Sequence, residues 1–382
     1  MAPPAAPAYG SGSLTELMTS AAAALGEPGF KNALQLPRAN RVVVVLVDGL
    51  GARLLKRFAG YAPTLRQAGQ HPSSRTLDTV FPTTTAAALA SLATGVPPSQ
   101  HGIVGYDVMD PAGPRIVNQL GGWPGDLDPA TWQVVPTVFE RLQERRSVVT
   151  VSRPKFRDSP LTRAGLRGGE FMEATSPPAR VGAALAALRQ HKDALVYLYW
   201  DDLDKAGHAH GVESQQWLHA LEELDSAMRR LIAGAGPNTL VLLTADHGMV
   251  DVPASGRIDY SERPELLEGV ALTAGEPRGV QLHFDPAASA ETRQGTIDAW
   301  KAAFGDVAWV LTRDELSDAG WLGPQWAPGV RERVGDVLIA AHGSVAFYDG
   351  RRVAPHAFDM VGQHGSLTPS ERKVPLLILA GG

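Results

Sequence analysis

Four near-continuous apolar runs punctuate the chain, VVVVLV at 42–47, SVVTVS at 147–152, ALVYLYW at 194–200 and TLVLLT at 239–244. None alternates apolar with polar positions, so none has the pattern of a strand with one wet face. Each has the length of a strand buried on both sides, as in a parallel sheet covered by helices. Between the runs, apolar residues recur three and four apart over 14–25, 136–146, 178–190 and 217–232, the spacing of amphipathic helices. Ser13 followed by Glu16 has the capping-box pattern at the start of the first of these. The alanine-rich Thr85–Thr94 segment follows a proline-punctuated loop and stops at Gly95, which predicts one more helix.

The alternation of strand and helix patterns predicts an α/β fold with a mostly parallel sheet flanked by helices. The texture changes over 251–350, where strand-like RGVQLHF, helix-like ETRQGTIDAWKAAF, strand-like VAWVLT and RVGDVLIAAHGSVAFYD suggest a smaller α+β insertion. VPLLILA at 374–380 then returns to the core. The expected organisation is an N-terminal segment and helix at 1–34, a core built from 35–250 and 351–382, and the insertion at 251–350. The first dozen residues, rich in Pro, Ala, Gly and Ser, are expected to be poorly ordered. The stretch 107–132, rich in Gly, Pro, Asp and Trp, predicts a long irregular excursion of the kind that walls a site.

Composition narrows the function classes. With 382 residues, 44% apolar and 20% charged, the chain is long enough for a large α/β domain with an elaboration. A formal net charge of −5 argues against binding a nucleic-acid polymer while leaving room for a local anion pocket. The absence of cysteine removes disulfides, thiolate ligands and a cysteine nucleophile. MAPPAAPAYGSGS has neither a basic start nor an apolar core, and no apolar run approaches membrane-span length. The expected location is cytoplasmic, with no membrane partner.

Candidate chemistry gathers where apolar runs end. Asp48 and Gly49 close the first run, the position where open α/β sheets collect ligands, so Asp48 is either a helix cap or a site residue. Thr83, Thr84 and Thr85 precede a helix whose N-terminus favours an anion; one of them caps it or serves as nucleophile, and the segment alone leaves both open. After ALVYLYW come Asp204 and His208, four apart and therefore on one helix face, a spacing suited to a metal. Asp201, Asp202 and His210 compete with them, the two aspartates also as a cap or as orienting groups. Asp246 and His247 follow the next run, and Gly248 lets the chain turn so that both side chains converge. His364 stands in the loop before the last strand. Lys155, Phe156 and Arg157 can grip an anionic or aromatic group but also suit a solvated loop, and His219, His283 and His342 read as structural.

The order VDG, FPTTTAAALASLATG with HGIVGY, DLDKAGH, ADHG and QHG resembles the type I phosphodiesterase/nucleotide pyrophosphatase family of the alkaline phosphatase superfamily, over residues 42–380. The resemblance implies an alkaline phosphatase-like α/β fold and a hydrolase with two zinc ions, manganese or iron being alternatives. It implies that Asp48, Asp246 and His247 hold one ion together with the Thr85 oxygen, and that Asp204, His208 and His364 hold the other. Counting back from the ATG of the threonine helix, the nucleophile matches Thr85, which implies a phospho-threonine intermediate. The implied substrate is a small phosphate ester or nucleotide.

Two positions depart from the family pattern. Where the family's nucleotide pyrophosphatases carry an asparagine after HGIVG, this chain has Tyr106, whose phenol can serve the same phosphate oxygen or only wall the pocket. Ala88 replaces a second asparagine beyond the nucleophile. A phosphomonoesterase or a phosphonate or sulfate ester hydrolase on the same centre is the alternative expectation, and a non-catalytic metal-binding module a third.

Overall fold

The computed structural model describes residues 1–381. In chain order the strands that matter for the site are β1 (Arg41–Val47), β2 (Arg75–Asp78), β3 (Asp107–Met109), β4 (Ile116–Asn118), β5 (Ser147–Ser152), β6 (Glu170–Glu173), β7 (Ala194–Trp200) and β8 (Thr239–Thr244). They are followed by β9 (Val270–Glu276), β10 (Gly279–Phe284), β11 (Ala308–Thr312), β12 (Val337–Ala341) and β13 (Lys373–Ala380). The larger sheet has the order β2-β13-β8-β1-β7-β5-β6. Its β8, β1, β7, β5 and β6 run parallel, and β13 is antiparallel to both β8 and β2.

The apolar runs are explained by their places in this sheet. β1 lies at its centre, paired residue for residue with β7 on one side and β8 on the other, and 42–47 are wholly buried because helices cover both faces. All of β7 and β8 are likewise buried. The Thr85–Thr94 helix packs its small residues against the Thr15–Ala24 helix and the Pro160–Gly165 helix, and Gly95 ends it at φ 76°. At the first helix Ser13 and Glu16 do pair, the carboxylate accepting Ser13 N–H at 2.8 Å, while the residue entering the helix is Leu14.

A second sheet, β11-β12-β10-β9-β3-β4, packs its own apolar cluster around Trp300, Phe304 and Phe347. It takes β3 and β4 from the 107–118 region, so the stretch expected to be irregular contributes two short strands, joined to β9 through Gly275 and Asp107. Three-residue strands in a Gly/Pro-rich context carry too little alternation to stand out in sequence. The N-terminal residues are held more firmly than their composition suggests. Trp309 and Trp321 donate their indole N–H groups to Met1 O and Pro4 O, and the Tyr9 hydroxyl donates to Trp321 O.

Candidate active site

The site forms at the carboxyl ends of β1, β7 and β8, where the parallel strands open into loops. Asp48 follows β1 directly. Gly49 follows at φ 75°, and a Cβ there would meet Asp204 Cα at 3.2 Å, so the bare backbone lets the β1 loop close on the helix that carries Asp204. That helix, Asp202–His210, starts immediately beyond β7. Asp246 and His247 leave β8, and Gly248 allows a close approach: a Cβ on it would lie 2.0 Å from Ser370 O. His364 enters from the loop before β13.

The three threonines have separate places. Thr83 is a latch, its hydroxyl donating to Ser366 O at 2.8 Å and accepting Gly365 N–H at 3.0 Å. Thr84 is the N-cap residue of the helix, yet no side chain caps that end. Thr85 opens the helix and turns its Oγ1 to within 3.3 Å of His247 Nε2. The helix terminus therefore keeps its first N–H groups and their partial positive charge beside the Thr85 hydroxyl.

Around these residues the donor atoms form two neighbouring sets. Asp204 Oδ1 and His208 Nε2 are 3.3 Å apart, His364 Nε2 is 3.3 Å from His208 Nε2, and His364 Nε2 is 4.0 Å from Asp204 Oδ1. In the second set, His247 Nε2 is 3.3 Å from Asp48 Oδ1, 3.5 Å from Asp246 Oδ2 and 3.3 Å from Thr85 Oγ1. Asp204 bridges the sets: with Asp48 and His247 it offers atoms that all lie within 4.8 Å of one another.

The outer partners fix which atom of each group faces inward. Nδ1 of His208, His247 and His364 meets the carbonyls of Gly362 at 2.7 Å, Gly248 at 3.0 Å and Thr83 at 2.7 Å. A carbonyl only accepts, so each Nδ1 carries a proton, and whenever a ring is neutral its Nε2 lone pair faces inward. The Tyr199 hydroxyl donates to Asp48 Oδ2, and Asp246 Oδ1 accepts the N–H groups of Gly49 and His247 at 3.1 and 3.0 Å. The opposite oxygens, Asp48 Oδ1 and Asp246 Oδ2, together with Asp204 Oδ1, are buried without a hydrogen-bond partner.

Such a set of inward lone pairs is self-repelling unless cations or protons lie among them. Burial, with Asp204 nearby, raises Asp48, and burial, with Asp48 nearby, raises Asp246 well above the usual carboxylate range. Burial opposes charging His247, but Asp246 and Asp48 outweigh it and push the imidazole up to about 10. Burial and the neighbouring imidazoles hold His364 well below its ordinary value. The residues fit divalent cations: imidazole and carboxylate donors separated by about 3.3 Å match the edge of a tetrahedron with bonds of about 2.0–2.1 Å.

A cavity of about 750 Å³ opens over these atoms, lined by Thr85, Asp48, Asp204, His208 and His364, with Tyr106 at its rim. Tyr106 is 38% exposed, and Ala88 is buried within its helix. Lys155 and Phe156 also line the cavity, Phe156 edge-on to Tyr199, whereas Arg157 pairs with Glu173. Asp201 and Asp202 are taken up by Arg153 and Arg180, with Lys205 also on Asp201, which anchors the start of the Asp202–His210 helix. His210 and His219 are exposed, while His283 is buried in the second sheet and His342 packs on Trp309. Sequence reasoning missed Tyr199; its place two residues before Asp201 on a strand that ends at the site was the available signal.

Comparison with known proteins identifies relatives of the same fold. The family description type I phosphodiesterase/nucleotide pyrophosphatase matches residues 42–367. Murine ectonucleotide pyrophosphatase/phosphodiesterase 5 is similar in structure at 18% identity and a TM-score of 0.67, over 88% of this chain and 87% of that one. Its complex with AMP matches at 17% identity, TM-score 0.67 and the same coverage. Phosphonoacetate hydrolase from Sinorhizobium meliloti 1021 in complex with phosphonoformate matches at 19% identity and a TM-score of 0.67, over 90% of this chain and 91% of that one. At such identities the likeness is one of fold. Among the described residues no helix is long and apolar enough to cross a membrane.

Proposed function

Since the chain belongs to the type I phosphodiesterase/nucleotide pyrophosphatase family, we propose that it hydrolyses a small phosphodiester or nucleotide, with Thr85 as nucleophile at a centre for two zinc ions. The observation that carries this reading is the Thr85 hydroxyl, held at an uncapped helix N-terminus 3.3 Å from His247 Nε2 and beside the partnerless oxygens of Asp48 and Asp246. Asp48, Asp246, His247 and Thr85 would hold one ion, and Asp204, His208 and His364 the other. When bound, such a pair lowers the pKa of hydroxyl groups and offsets charge on the attacking and leaving oxygens.

The chain's own part follows from its geometry. Thr85 Oγ1 forms a bond to phosphorus as the bond to the leaving oxygen breaks, giving an ester-phosphorylated Thr85. Water then displaces Thr85 from phosphorus and returns a proton to its oxygen. The first-turn N–H groups of the Thr85–Thr94 helix favour the negative phosphoryl oxygens, and the Tyr106 phenol is available to donate to one of them. Asp48, Asp204, Asp246 and a deprotonated Thr85 carry four negative charges, which two divalent ions balance, so a monoanion enters without strong repulsion.

A diester is favoured because two of the three cations that line the cavity are paired with carboxylates, while the third, Lys155, lies against the Phe156 ring. Lys205 is paired with Asp201, and Arg352 with Asp107. A dianion would need a further cationic clamp. Turnover of a 4-nitrophenyl phosphodiester against 4-nitrophenyl phosphate by zinc-loaded protein tests the reading. Diester preference supports it; monoester preference moves the function to a phosphomonoesterase.

A further inference from the structure

The cavity continues past the metal-ligand residues along one face of the larger sheet. Residues two apart on a strand share a face and lie about 7 Å apart, so a descending series can be followed from Asp48. One step down stand Ser152 and Tyr199, the latter bound to Asp48. One step further, Phe171, Thr150 and Tyr197 form a single row across β6, β5 and β7, since Thr150 is the register partner of both others. All three line the cavity, facing Leu89 from the threonine helix and Leu161 and Leu166 from the 160–166 region.

Two hydroxyls in this row are anomalous. Thr150 is 5% exposed and Tyr197 1%, yet neither Thr150 Oγ1 nor Tyr197 Oη has a hydrogen-bond partner. Buried hydroxyls are normally satisfied, and leaving one bare is unfavourable. Here two stand side by side on adjacent strands, within a mainly apolar part of the cavity, a lobe that also carries Ser152, Ser159 and Thr162 and is continuous with the Thr85 site. Valine and phenylalanine would fill the same space without that disadvantage. No charged side chain belongs to the row.

We propose that this lobe is a subsite for an uncharged, mainly apolar organic group of the substrate, with the Tyr197 and Thr150 hydroxyls hydrogen-bonding a carbonyl, ether or hydroxyl oxygen on it. The proposal rests on the reading of Thr85 and its neighbours as the reacting centre, because the lobe is continuous with that centre. It adds a rule of specificity: an ester group binds best when it carries an oxygen placed to meet the Tyr197 or the Thr150 hydroxyl. A site built to hydrogen-bond a ligand oxygen discriminates against analogues that lack it.

The test uses 4-nitrophenyl phosphodiesters whose second ester group is methyl, benzyl or 4-acetylbenzyl, with nitrophenolate release as readout. Zinc-loaded wild type is expected to favour benzyl over methyl by about tenfold in kcat/KM and 4-acetylbenzyl over benzyl by a further fivefold or more. In Tyr197→Phe and Thr150→Val the benzyl-to-methyl ratio persists and the acetyl advantage falls below twofold. Unchanged thermal stability in both variants ties the effect to binding. Equal ratios in wild type and variants overturn the subsite and assign the hydroxyls to ordered water.

A separate readout covers failure of the functional reading. If wild type hydrolyses none of these esters, calorimetry with 4-acetylbenzyl alcohol still addresses the lobe. Saturable binding that weakens at least fivefold in Tyr197→Phe supports the subsite without the reaction, and absence of binding overturns it.

Discussion

His208 and His364 face each other through their Nε2 atoms at 3.3 Å, while each ring meets a backbone carbonyl through Nδ1. The outward bonds assign the Nδ1 proton on both rings, so whenever both are neutral two lone pairs converge beside the bare Asp204 Oδ1. Sequence brings these histidines together from positions 156 residues apart. A cation shared by the two rings would make that encounter favourable, and its removal would then have measurable consequences.

Metal removal is the first of these. Exhaustive chelation is expected to lower the melting temperature by several degrees, and readdition of zinc to restore it, since a ligand that binds only the folded state stabilises it by mass action. Calorimetric scans with and without chelator check this. His208→Ala is expected to retain about half the metal of wild type by elemental analysis, because the set around His247 keeps its own donors.

The Tyr199 hydroxyl orients Asp48 by binding its outer oxygen, and burial together with Asp48 keeps the phenol protonated. Tyr199→Phe is expected to weaken metal binding by about 10–100-fold, the usual effect of losing an outer partner of a ligand. Competition against a chromophoric chelator measures it. The circular dichroism of the variant should match wild type.

A buried ion pair ties the turn between β9 and β10 to the helical turn, Pro369–Arg372, that precedes β13. Arg278 Nε and Nη2 meet the two oxygens of Glu371 at 2.7 and 2.9 Å, and Arg278 also donates to the carbonyls of Gly343 and Val345. Both side chains are fully buried. Arg278→Met leaves Glu371 charged and unpaired by arginine, so it is expected to cost about 3–5 kcal/mol in denaturant unfolding. Glu371 also accepts Ser366 N–H at 3.0 Å, so the same variant should loosen the loop that bears His364.

Glu276 gives a pH dependence with a definite sign. Burial, with contributions from Asp107 and Glu371, raises its carboxyl to about 8 despite the Tyr106 N–H that it accepts at 3.0 Å. Between about 4.5 and 8 the folded state therefore binds more of this proton than the unfolded state. The contribution is fully present below the unfolded value and is lost as pH rises through 8, with a slope of up to about 1.4 kcal/mol per pH unit. Glu276→Gln is expected to flatten that part of the stability profile, and urea unfolding from pH 5 to 9 compares the two proteins.

Legibility in the sequence followed from how local the determining physics is. β1, β7 and β8 were visible because burial on both faces demands unbroken apolar runs, and Asp204 with His208 because one helical turn sets their spacing. β3 and β4 were not visible: they are short, and their pairing with β9 lies in distant chain. The antiparallel direction of β13 was hidden for a similar reason, since an apolar run carries no sign of direction. At the site, residue types and order were readable from motifs. The Tyr199 contact, the Nδ1 carbonyl partners and the bare hydroxyls of Thr150 and Tyr197 exist only after folding.

The central claim is that Thr85 is the attacking group. The most direct measurement is kcat for a 4-nitrophenyl phosphodiester with zinc-loaded wild type, Thr85→Ala and Thr85→Ser, each with its metal content determined. The account predicts a loss of at least about a thousandfold in Thr85→Ala with most of the metal retained, and partial recovery in Thr85→Ser, because the serine restores a hydroxyl at the same helix terminus. Turnover by Thr85→Ala within about threefold of wild type would contradict it.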